Sequence, residues 1–160
     1  MDISSIDGVG LGFVLCIIAE TGLDLKAFPT AKHFSSWLSV APDLKKTGGK
    51  VINGQTRKGK GRLAKAFMYA ANAIGNMKTG GYIVHFFKRI QRRRGRSTAI
   101  IATANKLSKI IWNMLTKKQS YNPIMPAEYQ NKIRINQIKH IQRKVRELNI
   151  QEEELQFVTA

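Results

Sequence analysis

Between Leu44 and Ala127 this chain holds no aspartate or glutamate, yet nineteen of its lysines and arginines fall there. Any fold must keep those cations in solvent without carboxylate partners close in sequence. The whole chain carries a formal net charge of +17 in 160 residues. Self-repulsion on that scale is tolerated where a polyanion neutralises it. The acids gather at the two ends, with a run at Glu152, Glu153 and Glu154. A two-metal nuclease needs several carboxylates converging on its ions, and the central segment supplies none. Asp2, Asp7, Glu20, Asp24 and Asp43 show no cluster spacing. His33, His85 and His140 lie far apart in sequence, and the single cysteine, Cys16, reads as a buried small hydrophobe in an apolar run. No metal site is expected, and the cysteine count fits a reducing cytoplasm.

The cations are densest from Lys45 to Lys65, at Lys45, Lys46, Lys50, Arg57, Lys58, Lys60, Arg62 and Lys65. Thr47 and Thr56 lie among them, with glycines at 48, 49, 54, 59 and 61. Such a loop lays backbone N–H groups and cations along a phosphate chain. A second basic run holds Lys88, Arg89, Arg92, Arg93, Arg94 and Arg96. Contacts of this kind position a protein on a phosphate backbone and carry little sequence information.

With 43% hydrophobic residues the chain has material for a core. Gly8-Val9-Gly10, ahead of the apolar run from Leu11 to Ala19, reads as the second half of a helix-hairpin-helix. There Gly8 and Gly10 would let the backbone approach a phosphate. That run is too short to span a bilayer, and no cation precedes it as a signal peptide requires. A soluble cytoplasmic protein, with no membrane partner, is expected. Gly22 closes the helix. Thr30 caps another, which runs through His33, Phe34 and Trp37 to Leu38 before Ala41-Pro42. The basic stretch follows, with a short hairpin expected around Val51 to Gly54. From near Arg62, Leu63, Ala66, Phe67, Ala70, Ala71 and Ile74 repeat at helical spacing. Tyr82, Ile83, Phe86, Phe87 and Ile90 form the next face, which ends at Gly95. Ser97 is placed to cap a helix bearing Ile100, Ala104, Leu107, Ile111 and Leu115. Asn122-Pro123 and Pro126 mark a linker, and a basic helix covers about Ala127 to Asn149. Phe67, Phe86, Phe87 and Trp112 are expected in the core. The fold class is mainly all-α: a small helical bundle with a helix-hairpin-helix-like opening, a glycine-rich basic loop or short hairpin inserted, and an extra C-terminal helix. Residues 1–121 make the principal domain, and 122–160 the linker, basic helix and acidic tail.

The order of these pieces resembles the C-terminal transposase domain of the insertion-sequence-110/116/902 family, which includes Piv-type invertases. The resemblance rests on Ile6-Asp7-Gly8-Val9-Gly10 with Ala19-Glu20-Thr21-Gly22, then Phe28 to Phe34 and Trp37 to Pro42. It continues through Thr47-Gly48-Gly49-Lys50, Thr56-Arg57, Arg62 to Ala71 and Thr98 to Leu107. It covers about residues 3 to 121, and the helix near Tyr129 to Leu148 is similar to the tail of one subgroup. What it implies is a recombinase in two halves. One is a RuvC-like nuclease domain with acidic residues and Mg2+; the other supplies a hydroxyl that joins DNA covalently. This chain corresponds to the second half, is expected to be inactive alone, and binds no cofactor itself. Double-stranded DNA, a structured guide RNA in some members, and homo-oligomers of the full-length protein are the implied partners, with a nucleoid location. The family serine position is occupied here by Thr47, which keeps the hydroxyl and adds a methyl that crowds in-line attack. Two functions stay open: a domain giving its hydroxyl to strand exchange, or a non-catalytic DNA- or RNA-binding module. A basic ribosome-like RNA-associated protein is a third.

Overall fold

The computed structural model describes residues 2–22, 24–43, 45–54, 56–57, 61–122 and 127–150, with backbone alone at 45–46, 51–53, 127–129 and 132. The chain divides into two units, Met1–Pro123 and Ile124–Ala160. The first holds α1 (Leu11–Thr21), α2 (Ala31–Trp37), a ribbon of β1 (Lys45–Thr47) and β2 (Lys50–Asn53), α3 (Arg62–Asn76), α4 (Tyr82–Arg94) and α5 (Arg96–Lys117). The second holds α6 (Ala127–Glu147). The fold is therefore mainly α, as the periodicity predicts.

The helix boundaries follow capping chemistry. The Thr30 side chain accepts from the His33 N–H and opens α2, satisfying a donor that the first turn leaves without a helical partner. Gly22 ends α1 at φ +70°, and Gly95 ends α4 at φ +83°. α5 starts at Arg96 with Gly95 as its N-cap, ahead of the predicted Ser97 cap.

α5 is the central element of the first unit and packs against α2, α3 and α4, while α1 packs on α3. Leu63, Phe67, Ala70, Ala71 and Ile74 of α3 are buried in one core with Ile83 and Phe87 of α4 and Ala104, Leu107 and Ile111 of α5. Phe67 and Phe87 thus lie in the core as expected, whereas Phe86 and Trp112 are only partly buried. Trp112 donates its indole N–H to the Phe28 carbonyl at 3.0 Å. Cys16 is half-buried against the core.

Two close approaches fix the N-terminal turn and the α3–α4 contact. Gly8 has φ +75°, and a Cβ there would lie 2.6 Å from Ile74 Cγ1. Beside it, the Asp7 carboxylate accepts from the Gly81 N–H at 2.9 Å, tying the opening turn to the start of α4. In α3, a Cβ on Gly75 would stand 2.4–2.9 Å from the ring atoms of Phe87. Helix propensity alone makes Gly→Ala stabilising by about 1 kcal/mol. Overpacking against a buried ring costs about 1–3 kcal/mol. Gly75→Ala is therefore expected to lower the melting temperature; an unchanged or raised one would contradict this packing.

In the second unit, α6 pairs Arg143 with Glu147 one turn apart at 3.4 Å. Ile135, Ile138, Ile141 and Leu148 are exposed. No helix among the described residues is long and apolar enough to cross a membrane.

Candidate nucleic-acid interface

The glycine pair in Thr47-Gly48-Gly49-Lys50 is a hairpin turn. β1 and β2 are antiparallel with Thr47 opposite Lys50 and Lys46 opposite Val51, and a register shift falls between Lys45 and Lys46. Gly48 has φ +56° and Gly49 φ +78°. Positive φ at both central positions is what a two-residue type I′ turn demands, and glycine meets it without strain. The turn therefore lies upstream of the Asn53-Gly54 position. Directly opposed residues of an antiparallel pair share a face, so the Thr47 hydroxyl and the Lys50 ammonium project together from the exposed tip. At the root, Pro42 and Thr56 form an isolated bridge, and Arg57 approaches Asp43 at 4.0 Å. The ribbon is thus held closed at its root as well as at its tip.

The remaining cations separate into groups. Lys50, Lys65, Arg92, Arg93 and Arg94 are exposed. The three arginines occupy the last turn of α4, where they also offset the negative end of the helix dipole. Arg57 and Arg62 are exposed but meet acids, Arg62 reaching Glu20 at 3.5 Å. Ion pairs so exposed are weak, and a phosphate can replace the carboxylate. Lys88, half-buried, and Arg96, exposed, are engaged with the protein itself. Lys88 donates to the Lys78 carbonyl. Arg96 donates to Asn72 Oδ1 and Asn76 Oδ1, both at 2.6 Å, and its guanidinium lies 5.9 Å from the centroid of the Phe87 ring. Arg89 stands 5.5 Å from the Phe86 ring centroid. The side chains of Lys45 and Lys46, and Lys58 and Lys60 entirely, lie outside the described residues. Gly8 packs on α3, whereas Gly10 caps α1 with open space where a Cβ would stand.

Arg96 therefore clamps the start of α5 to the last turns of α3. Arg96→Ala is expected to cost about 1 kcal/mol of stability while leaving the salt dependence of DNA binding unchanged. A lower salt slope with unaltered stability would return Arg96 to the contact surface.

Sequence reasoning missed a cleft of about 640 Å³ beside the ribbon root, between Val40, Pro42 and Thr56 on one side and Phe86 with one face of α5 on the other. That face presents Thr98, Ile101, Ala102, Asn105 and Lys109. Its signal was present as a second helical stripe on α5, offset from the apolar one. Elsewhere in this unit the Tyr121 hydroxyl is pushed above the usual tyrosine range by burial first and by Asp7 and Tyr82 next, so it stays neutral near pH 7. Among the described residues, no three His, Cys, Asp or Glu side chains gather as a metal site requires.

Residues 2–82 match the family described as Transposase IS116/IS110/IS902. The chain is 30% identical over 123 residues to the transposase for insertion sequence element IS1111A of Coxiella burnetii, covering 74% of this chain and 33% of that protein. It is 26% identical over 123 residues to a probable family 20 transposase of Pseudomonas aeruginosa, covering 74% of this chain and 36% of that protein. It is also similar, at 28% identity over 127 residues, to an uncharacterised 43.6 kDa protein of insertion element IS110 from Streptomyces coelicolor, covering 78% of this chain and 31% of that protein. The chain spans about a third of the length of these curated relatives. No solved structure matches it.

Proposed function

The chain belongs to the IS116/IS110/IS902 transposase family, and from that premise we propose that it is the part of a transposase that grips DNA and offers the Thr47 hydroxyl to strand exchange. The observation that carries this reading is the ribbon tip. A hydroxyl stands exposed one residue before a two-glycine turn, across from a lysine, in a stretch without a single carboxylate. A phosphodiester approaching that tip meets cations and no competing anion.

In this reading the Thr47 Oγ attacks phosphorus and a Thr Oγ–P bond forms. One P–O ester bond of the strand breaks, and its oxygen departs as a hydroxyl after taking up a proton. The phosphodiester energy is kept in the new ester, so a second strand's hydroxyl can reverse the step onto new DNA. Lys50, on the same face, neutralises charge on the non-bridging oxygens. The base that removes the Thr47 proton comes from a RuvC-like nuclease half. In the same reading Mg2+ belongs to that half, whose acidic residues would hold it. Duplex DNA is the partner, with a guide RNA and a homo-oligomer of the longer protein completing the assembly at the nucleoid.

A second reading, a non-catalytic DNA- or RNA-binding module, is favoured by the threonine methyl beside the reacting oxygen. The two separate in one assay. The chain is mixed with a full-length relative whose own serine is replaced by alanine, and DNA carrying element ends is added. A covalent protein–DNA adduct is expected, lost in Thr47→Ala and formed faster by Thr47→Ser. Tight binding with no adduct, from the native chain and from the Thr47→Ser variant alike, would leave only the binding module.

A further inference from the structure

We propose that the cleft at the ribbon root receives one unstacked base of the bound strand and that Asn105 reads its edge. The inference rests on the nucleic-acid reading above and adds a second site to it, about the base where the ribbon tip concerns the phosphate. The cleft has the chemistry for such an occupant. Val40, Phe86, Ile101 and Ala102 supply apolar walls for the faces of a planar ring. Asn105 lines the same space, and its Oδ1 is enclosed without a hydrogen-bond partner. A buried amide oxygen in that condition is costly. Turned toward the cleft about its side-chain torsions, the Asn105 amide gains in a base edge the partner its oxygen lacks, and an asparagine amide matches the adjacent donor and acceptor of adenine best.

The rim fits the rest of a nucleotide. Lys106 and Lys109 flank Asn105 on α5, with the Lys106 ammonium 5.3 Å from the centroid of the Tyr82 ring. Ser97 and Thr98 bring exposed hydroxyls in the first turn of that helix. Placement gives the site its use. Pro42 and Thr56 line the cleft and also form the bridge that closes the ribbon. A base held there fixes the strand's register against the tip that carries Thr47. Unstacking a base is least costly in single-stranded or distorted DNA, which is the form a strand takes during exchange.

The test uses the full chain and two single-stranded oligonucleotides of equal length and charge, one of deoxyadenosines and one entirely abasic. NMR signals of the ribbon glycines, the Ile101 methyls and the Asn105 side-chain amide are followed. Both oligonucleotides are expected to shift the glycines, and only the adenine strand to shift Ile101 and Asn105. Asn105→Ala should weaken adenine-strand binding about tenfold and leave abasic binding unchanged. Should that variant fold poorly, Thr98→Trp, at an exposed position on the rim, should block the cleft with the same selectivity. Equal cleft shifts from both strands, or equal losses in the variants, would overturn the base site and leave the phosphate reading intact. If neither strand shifts any signal, the base site falls, and duplex binding alone decides the phosphate reading.

Discussion

Raising salt from about 50 to about 200 mM should weaken duplex binding by roughly 10³- to 10⁵-fold if the exposed cations meet about six to ten phosphates. The cations expected to contribute are those that stand in solvent or in weak exposed ion pairs. Lys50, Lys65 and Arg92 to Arg94 are exposed, and Arg57 and Arg62 have only exposed carboxylates to give up. Each phosphate contact adds about 0.9 to the slope of log K against log salt. Replacing Arg92, Arg93 and Arg94 by serine should therefore reduce the slope by about 2 to 3 and lower affinity for all sequences alike. Fluorescence anisotropy across a salt series measures both quantities. A native slope near zero would remove nucleic acid from the account of this chain. A slope unmoved by the triple substitution would confine the interface to the ribbon and α3.

The helices were legible because their signals are local. Thr30, Gly22 and Gly95 act at helix ends through their own side chain or φ, and the α3 stripe needs only a period of about 3.6. The turn at Gly48-Gly49 was harder to place. Asn53-Gly54 is an equally good two-residue turn signal by composition, and register depends on which strands find each other. What could not be read was the fate of each cation. Arg92 and Arg96 look alike in a basic run. Both are exposed, and only the approach of α3 to α5 brings Asn72 and Asn76 to Arg96. Gly8 shows the same gap: a glycine before a helix suggests a phosphate, but the space beside it is filled by Ile74 of α3. The cleft was legible only on its α5 side, since Val40 and Phe86, which complete it, are far from Asn105 in sequence.

Phe67→Ala should cost about 3–5 kcal/mol, against a total stability of about 5–15 kcal/mol for a domain of this kind. Phe67 is fully buried. Its ring meets Phe13 of α1 edge-on at 4.8 Å and Phe34 of α2 at 6.1 Å between centroids. Removing it leaves a void among three helices, and the Phe34 ring also packs on Phe28 at 5.1 Å, which limits how far the gap can close. The position bears on function as well. The ribbon connects α2 to α3 in the chain, and Phe34 and Phe67 join those two helices. Loosening that contact releases both roots of the ribbon together, so DNA affinity should fall even at temperatures where the variant remains folded. Urea denaturation and anisotropy on the same samples read the two effects. Tyr69, close by on α3 and 73% exposed, is the control. Tyr69→Ala should change stability by less than about 0.5 kcal/mol. If Phe67→Ala and Tyr69→Ala denature alike, the aromatic contact does not hold α2 to α3. If Phe67→Ala lowers stability but leaves DNA affinity intact in the folded protein, the ribbon's position is fixed by its own Pro42–Thr56 bridge and not by the core.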